Sequence, residues 1–451
     1  DWDFYQKYLL LAIPMILQNA ITNLVSFLDN IMVGQLGTEQ MSGVAIVNQL
    51  IFVYNLAIFG AVSAASIFGA QYFGKGNHKG HMYSFRFKLY ATLLVTGGAI
   101  LLFLTKGSAL ISLYLTDTVG NGATDLALQY GLEYLAIMMV GLIPFAVNQS
   151  YATNIKETGQ TFIPMLASFV AVGTNAILDY LMIFGIGPFP ELGVQGAALA
   201  TVIARYIEAL IVVIWAHIHR GKNRYLEGAY TGFGIPLAEL KAILIKGFPL
   251  MMNEVLWAAG MTTVTQCYSV RGLDVVAGLN IASTITNLFN IVYLQLGSCI
   301  SIVVGQYLGA GKLEDAKDAD NKMIVFSVFC CVIMAALMFV VGGFFPGIYN
   351  TTEEIRELAT SFIAVSAIIM PFCAFSHASY FTLRSGGKTV VTFLFDSVFT
   401  WVIVVPAAYL LAHFTGLGIV SIYFLVQGTE LIKVIIGYLM VKSNVWVVQM
   451  V

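Results

Sequence analysis

The sequence predicts an all-α membrane protein in which 12 transmembrane helices form two pseudo-symmetric six-helix bundles. Composition, hydropathy and an internal repeat predict this fold. The 451 residues are 59% hydrophobic and only 10% charged, whereas soluble domains are about 25% charged. The mean hydropathy is +0.84, which is too apolar for one soluble core and indicates a polytopic helical membrane protein.

The internal repeat relates the two halves of the chain. Pro14 falls on Pro249, and the Gln-Tyr-x-Gly-x-Gly run at 71–76 falls on the same run at 306–311. Across these 63 aligned residues there are twelve identities, and the glycines and the proline stay in register. Two apolar copies of one module are the usual build of a secondary transporter, with the substrate handled where the copies meet.

Twelve segments are apolar over the ~20 residues that a helix needs to cross a bilayer. They are residues 9–33, 45–70, 87–105, 127–153, 161–185, 194–217, 242–266, 278–304, 322–345, 357–383, 389–412 and 416–441. These segments predict an N-lobe over 1–217 (helices 1–6), a polar cytoplasmic linker over 218–241 and a C-lobe over 242–451 (helices 7–12).

The basic residues predict the orientation. With the N-terminus inside, seventeen Lys and Arg lie on the inner side and only three, Lys106, Arg271 and Arg356, lie outside. Cytoplasmic loops carry such an excess of positive charge. We therefore expect a multi-pass protein of the cytoplasmic membrane with both termini inside, no cleavable signal peptide, and a parallel repeat about an axis along the membrane normal.

Ionisable residues inside spans are costly in lipid and are candidates for function. Asp29 lies near the outer end of helix 1, Asp179 lies in the outer part of helix 5 with Asn175 one turn below, and Thr201 lies early in helix 6. Two carboxylates with an amide and a hydroxyl suit a proton or a small hard cation such as Na⁺. The alternative is that each acid only caps or packs against a helix.

The predicted C-lobe carries different ionisable groups. Glu254 in helix 7, Asp396 in helix 11 and His377 in helix 10 all fall in the inner half, and Glu254 aligns with Asn19 of the first copy. We predict that they are candidates for coupling or substrate binding, although His377 also fits an ordinary interior histidine.

Two pairs of opposite charges lie three residues apart. Arg205 and Glu208 are in helix 6, and Glu430 and Lys433 are in helix 12. Residues at this spacing are neighbours on a helix surface. We therefore predict that each pair neutralises itself within one turn as a structural ion pair.

Several residue runs resemble the MATE family, the multidrug and toxic compound extrusion transporters, over nearly the whole chain. The runs are DNIMVGQLG at 29–37, QYxGxG at 71–76, NxxLD at 175–179 with IFG at 183–185, GVQGAAxAT at 193–201, and LRSGGKT at 383–389 with its N-lobe mate KETGQT at 156–161. The resemblance implies two six-helix bundles in a V. It also implies the export of mostly cationic, amphipathic compounds by antiport with Na⁺ or H⁺.

The resemblance also implies a cation site in the N-lobe. The family uses an Asp in helix 1, an Asn and an Asp one turn apart in helix 5, and a Thr in helix 6. These match Asp29, Asn175, Asp179 and Thr201.

One branch of the family also uses a Glu in helix 7 with an Asp in helix 10. Glu254 resembles the first of these. The helix 10 Asp is absent, since Cys373, Ser376 and His377 occupy that region, and Asp396 is a candidate substitute.

We therefore expect an antiporter in the lipid bilayer that loads H⁺ or Na⁺ from outside, needs no other cofactor and exports small organic cations as a monomer. The oxygen ligands suit either coupling ion. The rival transport function is flipping of a lipid-linked or polysaccharide precursor, which favours a cationic cavity, whereas the unpaired buried charges predicted here are mostly acidic. A channel or an enzyme is disfavoured because no nucleophile motif, His/Cys metal set or phosphate loop is present. A net charge of −2 gives no reason to expect nucleic-acid binding.

Overall fold

The computed structural model describes residues 2–113 and 123–451, and its long elements there are α-helices. Twelve helices of this described part are long and apolar enough to cross a membrane. They are α1 (Trp2–Gly34), α2 (Thr38–Lys75), α3 (His78–Leu113), α4 (Ala123–Glu157), α5 (Phe162–Phe184), α6 (Val194–Ile218), α7 (Leu237–Ser269), α8 (Leu273–Gly309), α9 (Leu313–Phe344), α10 (Glu353–Ser385), α11 (Thr389–Phe414) and α12 (Ile419–Lys442). The prediction of an all-α protein with 12 transmembrane helices is confirmed.

The helices fall into two compact units. The N-terminal unit consists of Leu17–Gly69 and His78–Leu240. The C-terminal unit consists of Lys241–Val451 together with Ala70–Asn77 and the segment that ends at Ile16. The first turns of α1 and the last turns of α2 thus belong to the unit that holds the second copy of the repeat.

Each unit has its own apolar core. The N-terminal core is built around fully buried side chains such as Tyr134 and Leu142, and the C-terminal core around Phe362 and Met338. Many large apolar side chains remain exposed, as for Leu94, which is 77% exposed. Such exposure suits contact with lipid tails, because every span satisfies its backbone hydrogen bonds internally.

The repeated Gln-Tyr-x-Gly-x-Gly runs contact each other within the C-terminal unit. A Cβ atom on Gly74 would strike the backbone carbonyl of Gln306, and one on Gly309 would strike that of Gln71. Because Gly74 and Gly309 are repeat mates, the crossing of α2 and α8 is pseudo-symmetric. Only glycine allows two backbones to approach this closely.

Helix α11 departs from regular α-helix geometry in its middle. Residues Leu394–Val398 and Thr400–Val404 form two π-helical turns. Pro406 follows and has no N–H to donate to the carbonyl one turn back, so the preceding backbone is free to widen. Asp396 lies inside the first of these turns, and such turns are frequent at functional positions.

Candidate functional site

The four residues predicted as a cation site lie on three helices of the N-terminal unit. Asp29 is on α1, Asn175 and Asp179 are on α5, and Thr201 is on α6. The carboxyl groups of Asp29 and Asp179 lie within hydrogen-bonding reach of each other. Asn175 Nδ2 lies 3.5 Å from Thr201 Oγ1. The two acids therefore face each other closely enough to share one ion.

The two carboxylates are buried, and three of their four oxygens have no hydrogen-bond donor among the described residues. Asp179 is 0% exposed and Asp29 is 9% exposed. Among the described residues, no donor reaches Asp29 Oδ1, either carboxylate oxygen of Asp179, or Asn175 Oδ1. A buried charge without a partner is strongly unfavourable, and two facing carboxylates cannot easily both be ionised. A proton or a monovalent cation between the two carboxylates would therefore reduce their repulsion.

The polar groups next to this site are held in place by α4 and α6. Tyr134 is buried and donates to Asn48 Oδ1 at 3.2 Å, and the charge of Asp29 acts on it. Thr201 Oγ1 donates to the backbone carbonyl of Ala197 at 3.1 Å. Its hydroxyl oxygen keeps lone-pair capacity and can act as a neutral oxygen ligand.

The predicted ion pair of Arg205 with Glu208 is wrong in its partners. Glu208 Oε1 accepts from Asn148 Nδ2 at 3.1 Å and from Ser168 Oγ at 3.0 Å. Arg205 lies over the ring of Phe145, with its guanidinium carbon 5.1 Å from the ring centroid. Its buried Nη1 has no acceptor among the described residues. Both side chains reach neighbouring helices instead of each other.

The predicted pair of Glu430 with Lys433 is wrong for the same reason. Lys433 Nζ lies 2.9 Å from Asp396 Oδ1, across the interface of α11 and α12. Asp396 Oδ2 accepts from Asn253 Nδ2 of α7 at 3.0 Å. The buried Oε1 of Glu430 has no donor within the part of the chain that the structure describes.

Asp396 is one of the three C-lobe candidates, and the other two lie near its ion pair with Lys433. Glu254 is half-buried, and the charges of Arg384 and Asp396 act on it. His377 Nδ1 lies 2.9 Å from the carbonyl of Cys373, and its ring centroid lies 4.7 Å from that of Tyr293. The structure therefore places Glu254 and His377 near Asp396, with His377 bonded to its own helix as an interior histidine.

A buried charged cluster in the N-terminal unit was missed from the sequence. Glu157 Oε2 lies 2.8 Å from His81 Nε2, and Glu157 Oε1 contacts Lys88 Nζ. Lys88 also donates to Asn154 Oδ1 at 2.6 Å. All four side chains are buried, and Gly69 leaves the space that Glu157 fills. The one available signal was the spacing of His81 and Lys88, which puts both on one face of α3.

Twelve apolar helices in two repeat-related halves, with carboxylates enclosed in the helical bundles, define a multi-pass membrane transporter. Residues 14–181 and 249–410 match the sequence profile of the MatE family. The matched segments cover well over half of the chain and one falls in each copy of the repeat. The chain therefore belongs to the MatE family.

Bacterial relatives are similar over nearly the full length. A protein named probable multidrug resistance protein NorM from Thermotoga maritima is 23% identical over 421 residues, which cover 93% of this chain and 88% of the relative. A protein of the same name from Halalkalibacterium halodurans is 24% identical over 413 residues, which cover 91% of this chain and 88% of the relative.

Solved structures confirm the fold. A multidrug resistance MATE family transporter of the MOP superfamily, in its outward-facing conformation, matches with a TM-score of 0.86 and 20% identity, over 97% of this chain and 95% of that one. A MATE protein in a bent conformation matches with a TM-score of 0.87 and 20% identity, over 98% and 95% of the two chains. At this level of identity the likeness concerns the fold alone.

Proposed function

We propose that the protein is a cation-coupled antiporter that exports amphipathic, mostly cationic small molecules across the cytoplasmic membrane, with both termini inside. The observation that carries the proposal is the facing pair of Asp29 and Asp179 in the N-terminal unit, which is buried and has three carboxylate oxygens that no donor of the described residues reaches. The names of the bacterial relatives, which refer to multidrug resistance, support the substrate class.

The carboxylate pair supplies the coupling chemistry. Two facing carboxylates without donors gain stability when a proton or Na⁺ removes part of their charge. For Na⁺, the amide oxygen of Asn175 and the hydroxyl of Thr201 supply two neutral oxygens, and hard cations favour such ligands. For H⁺, one carboxyl group takes the proton, and its O–H group donates a hydrogen bond to the other carboxylate. Either ion therefore converts an unfavourable buried charge into a stable one.

Coupling follows from this change of charge. An ion shifts a conformational equilibrium only as far as it binds one state better than the other. Binding of the coupling ion from outside stabilises the conformation in which Asp29 and Asp179 are shielded from water. Without the ion, the two carboxylates are stable only in a conformation in which water reaches them. An inward ion gradient thus drives the alternation of access that moves the drug outward.

The test is ethidium efflux from proteoliposomes in which a pH gradient and a Na⁺ gradient are imposed separately. We expect one gradient to accelerate efflux by the native protein. We expect Asp29→Asn and Asp179→Asn to abolish that acceleration, because each removes one of the two facing charges. The control is Asp320→Asn, which alters an equally buried acid that is bonded to Thr382.

Acceleration of native magnitude in Asp179→Asn would refute the assignment of the site. The flippase function would be favoured instead if neither gradient changed the rate of efflux by the native protein and the protein transferred a lipid-linked precursor between leaflets.

A further inference from the structure

Each unit contains a three-residue polar contact that joins its first, fifth and sixth spanning helices in chain order. In the N-terminal unit these helices are α1, α5 and α6. Gln18 Nε2 donates to Ser168 Oγ at 2.8 Å, and Ser168 Oγ donates to Glu208 Oε1 at 3.0 Å. One amide, one hydroxyl and one carboxylate therefore form a chain across three helices.

The C-terminal unit repeats this contact on α7, α11 and α12. Asn253 Nδ2 donates to Asp396 Oδ2 at 3.0 Å, and Lys433 Nζ lies 2.9 Å from Asp396 Oδ1. The sequence alignment of the two copies makes the members equivalent. It places Gln18 on Asn253, Ser168 on Asp396 through the match of Thr161 with Thr389, and Glu208 on Lys433 through the match of Leu192 with Leu417.

The equivalent positions carry different charges. The middle position changes from the hydroxyl of Ser168 to the carboxylate of Asp396. The last position changes from the carboxylate of Glu208 to the ammonium of Lys433. The N-terminal contact therefore holds one acid, whereas the C-terminal contact holds an acid and a base.

Lys433 is fixed at its position by packing. The residue is 7% exposed. Its Nζ lies 5.3 Å from the ring centroid of Phe395 and 5.8 Å from that of Phe399, both on α11. Rings at this distance attract a cation, and the π-helical turn of α11 holds Asp396 between them along the helix. The ammonium is thus tied to one carboxylate oxygen and cannot easily move into water.

The carboxylates of Asp29 and Asp179 differ from that of Asp396 in the number of oxygens that are free to bind an ion. Asp29 Oδ1 and both Asp179 oxygens have no donor among the described residues. In contrast, both oxygens of Asp396 are occupied, one by Lys433 and one by Asn253. An acid with this coordination is already charge-compensated and offers no oxygen to a free ion.

We propose that Lys433 is a tethered cation: its ammonium fills the place at Asp396 where a free monovalent cation would otherwise bind. The C-terminal unit then takes part in transport without loading an ion of its own, and coupling rests on the N-terminal unit. This inference rests on the proposed antiport. It also assigns a latent cation site at the Asp396 carboxylate, which removal of Lys433 would open.

Other ionisable groups lie near the pair on α7, α10 and α12. Glu254 on α7, His377 and Arg384 on α10 and Glu430 on α12 act on it or on each other through their charges. Because several ionisable groups lie near the same carboxylate, pH is a poor readout for one site. Binding of Na⁺ at constant pH reports the open carboxylate more directly.

The test removes the N-terminal acids first, so that only the C-terminal site can respond. In the background Asp29→Asn/Asp179→Asn, the purified protein in detergent is heated with Na⁺ or with choline at equal ionic strength. We expect no Na⁺-dependent shift of Tm in the background or with Lys433→Arg. We expect Lys433→Met to introduce an upward shift of a few degrees, because an ion that binds only the folded state stabilises it. Addition of Asp396→Asn should remove that shift.

Two results would overturn the proposal. One is a folded Lys433→Met variant whose Tm is the same in Na⁺ and in choline. The other is a Na⁺-dependent shift in the background itself that disappears with Asp396→Asn, since Lys433 would then not exclude the ion.

If Lys433→Met does not fold, the pair is tested directly. Recovery of a folded protein in Lys433→Met/Asp396→Asn supports the tethered cation, because the acid is then no longer left unpaired. A double variant that fails equally overturns it, because Lys433 would be needed for packing alone. Gradient-driven efflux by the native protein is scored separately, so failure of antiport is distinguishable from failure of this inference.

Discussion

The buried cluster of His81, Lys88 and Glu157 allows a quantitative prediction about stability. We consider Lys88→Met, which keeps the length of the side chain and removes its charge. Lys88 is 0% exposed and Glu157 is 3% exposed, so solvent does not screen the pair. Breaking a buried pair by removing one partner costs about 3–5 kcal/mol. Glu157 keeps its contact with His81 at 2.8 Å, so the lower end, about 3 kcal/mol, applies.

This loss converts into a measurable shift of Tm. For a unit of 150–250 residues, 1 kcal/mol corresponds to ~2–4 °C. Lys88→Met should therefore lower Tm by about 6–12 °C in a thermal-unfolding assay followed by size-exclusion chromatography. Lys88→Met/Glu157→Gln should recover a large part of the loss, because the orphaned charge is removed as well. A Tm within 2 °C of native for Lys88→Met, or a double variant no more stable than the single one, would refute the reasoning.

Three further predictions concern packing, the linker and the coupling ion. Gly74→Val should cost about 3 kcal/mol or more, because its Cβ would overlap a backbone carbonyl of α8. Gly97→Ala should be neutral or stabilising in the same Tm assay, because the corresponding space on α3 is open. Arg86→Ala should increase proteolysis of the linker, since its guanidinium donates to three carbonyls of residues 228–234 at 2.7–3.0 Å, whereas Arg224→Ala, which removes an exposed pair, should not. Thr201→Val should raise the half-saturating Na⁺ concentration about tenfold if Na⁺ is the coupling ion. It should leave proton-driven efflux unchanged, so a loss of proton-driven efflux would show that the hydroxyl has another role.

The spans were predictable because lipid imposes a length and a composition on any helix that crosses it. The helix ends were not. Helix α3 was predicted over 87–105 but begins at His78 and runs to Leu113. Hydropathy detects only the segment that crosses the apolar part of the bilayer. The helix itself continues beyond that segment as long as the polar side chains at its ends find partners. Arg86 finds such partners in the linker, and Lys88 finds one in Glu157.

The candidate cation site was predictable because its residues can be placed at one depth by counting turns along three helices. The charge pairing was not predictable from spacing. Contacts three residues apart are favourable on the surface of an isolated helix, but inside a bundle a neighbouring helix offers shorter and better-oriented partners. Lys433 therefore reaches Asp396 instead of Glu430, and Glu208 reaches Ser168 instead of Arg205.

The two copies of the repeat show how one scaffold supports unequal chemistry. The positions of Gln18, Ser168 and Glu208 are retained as contacts in the second copy, but their charges are not. Geometry in each copy is fixed by the apolar packing of whole helices, so one polar substitution changes the charge of a position without moving it. No donor among the described residues reaches the carboxylate of Asp179, whereas Asp396 is compensated by a side chain of the same unit. It follows that the copies can diverge in ion binding through two or three residues, and that the repeat alone does not predict the number of coupling ions.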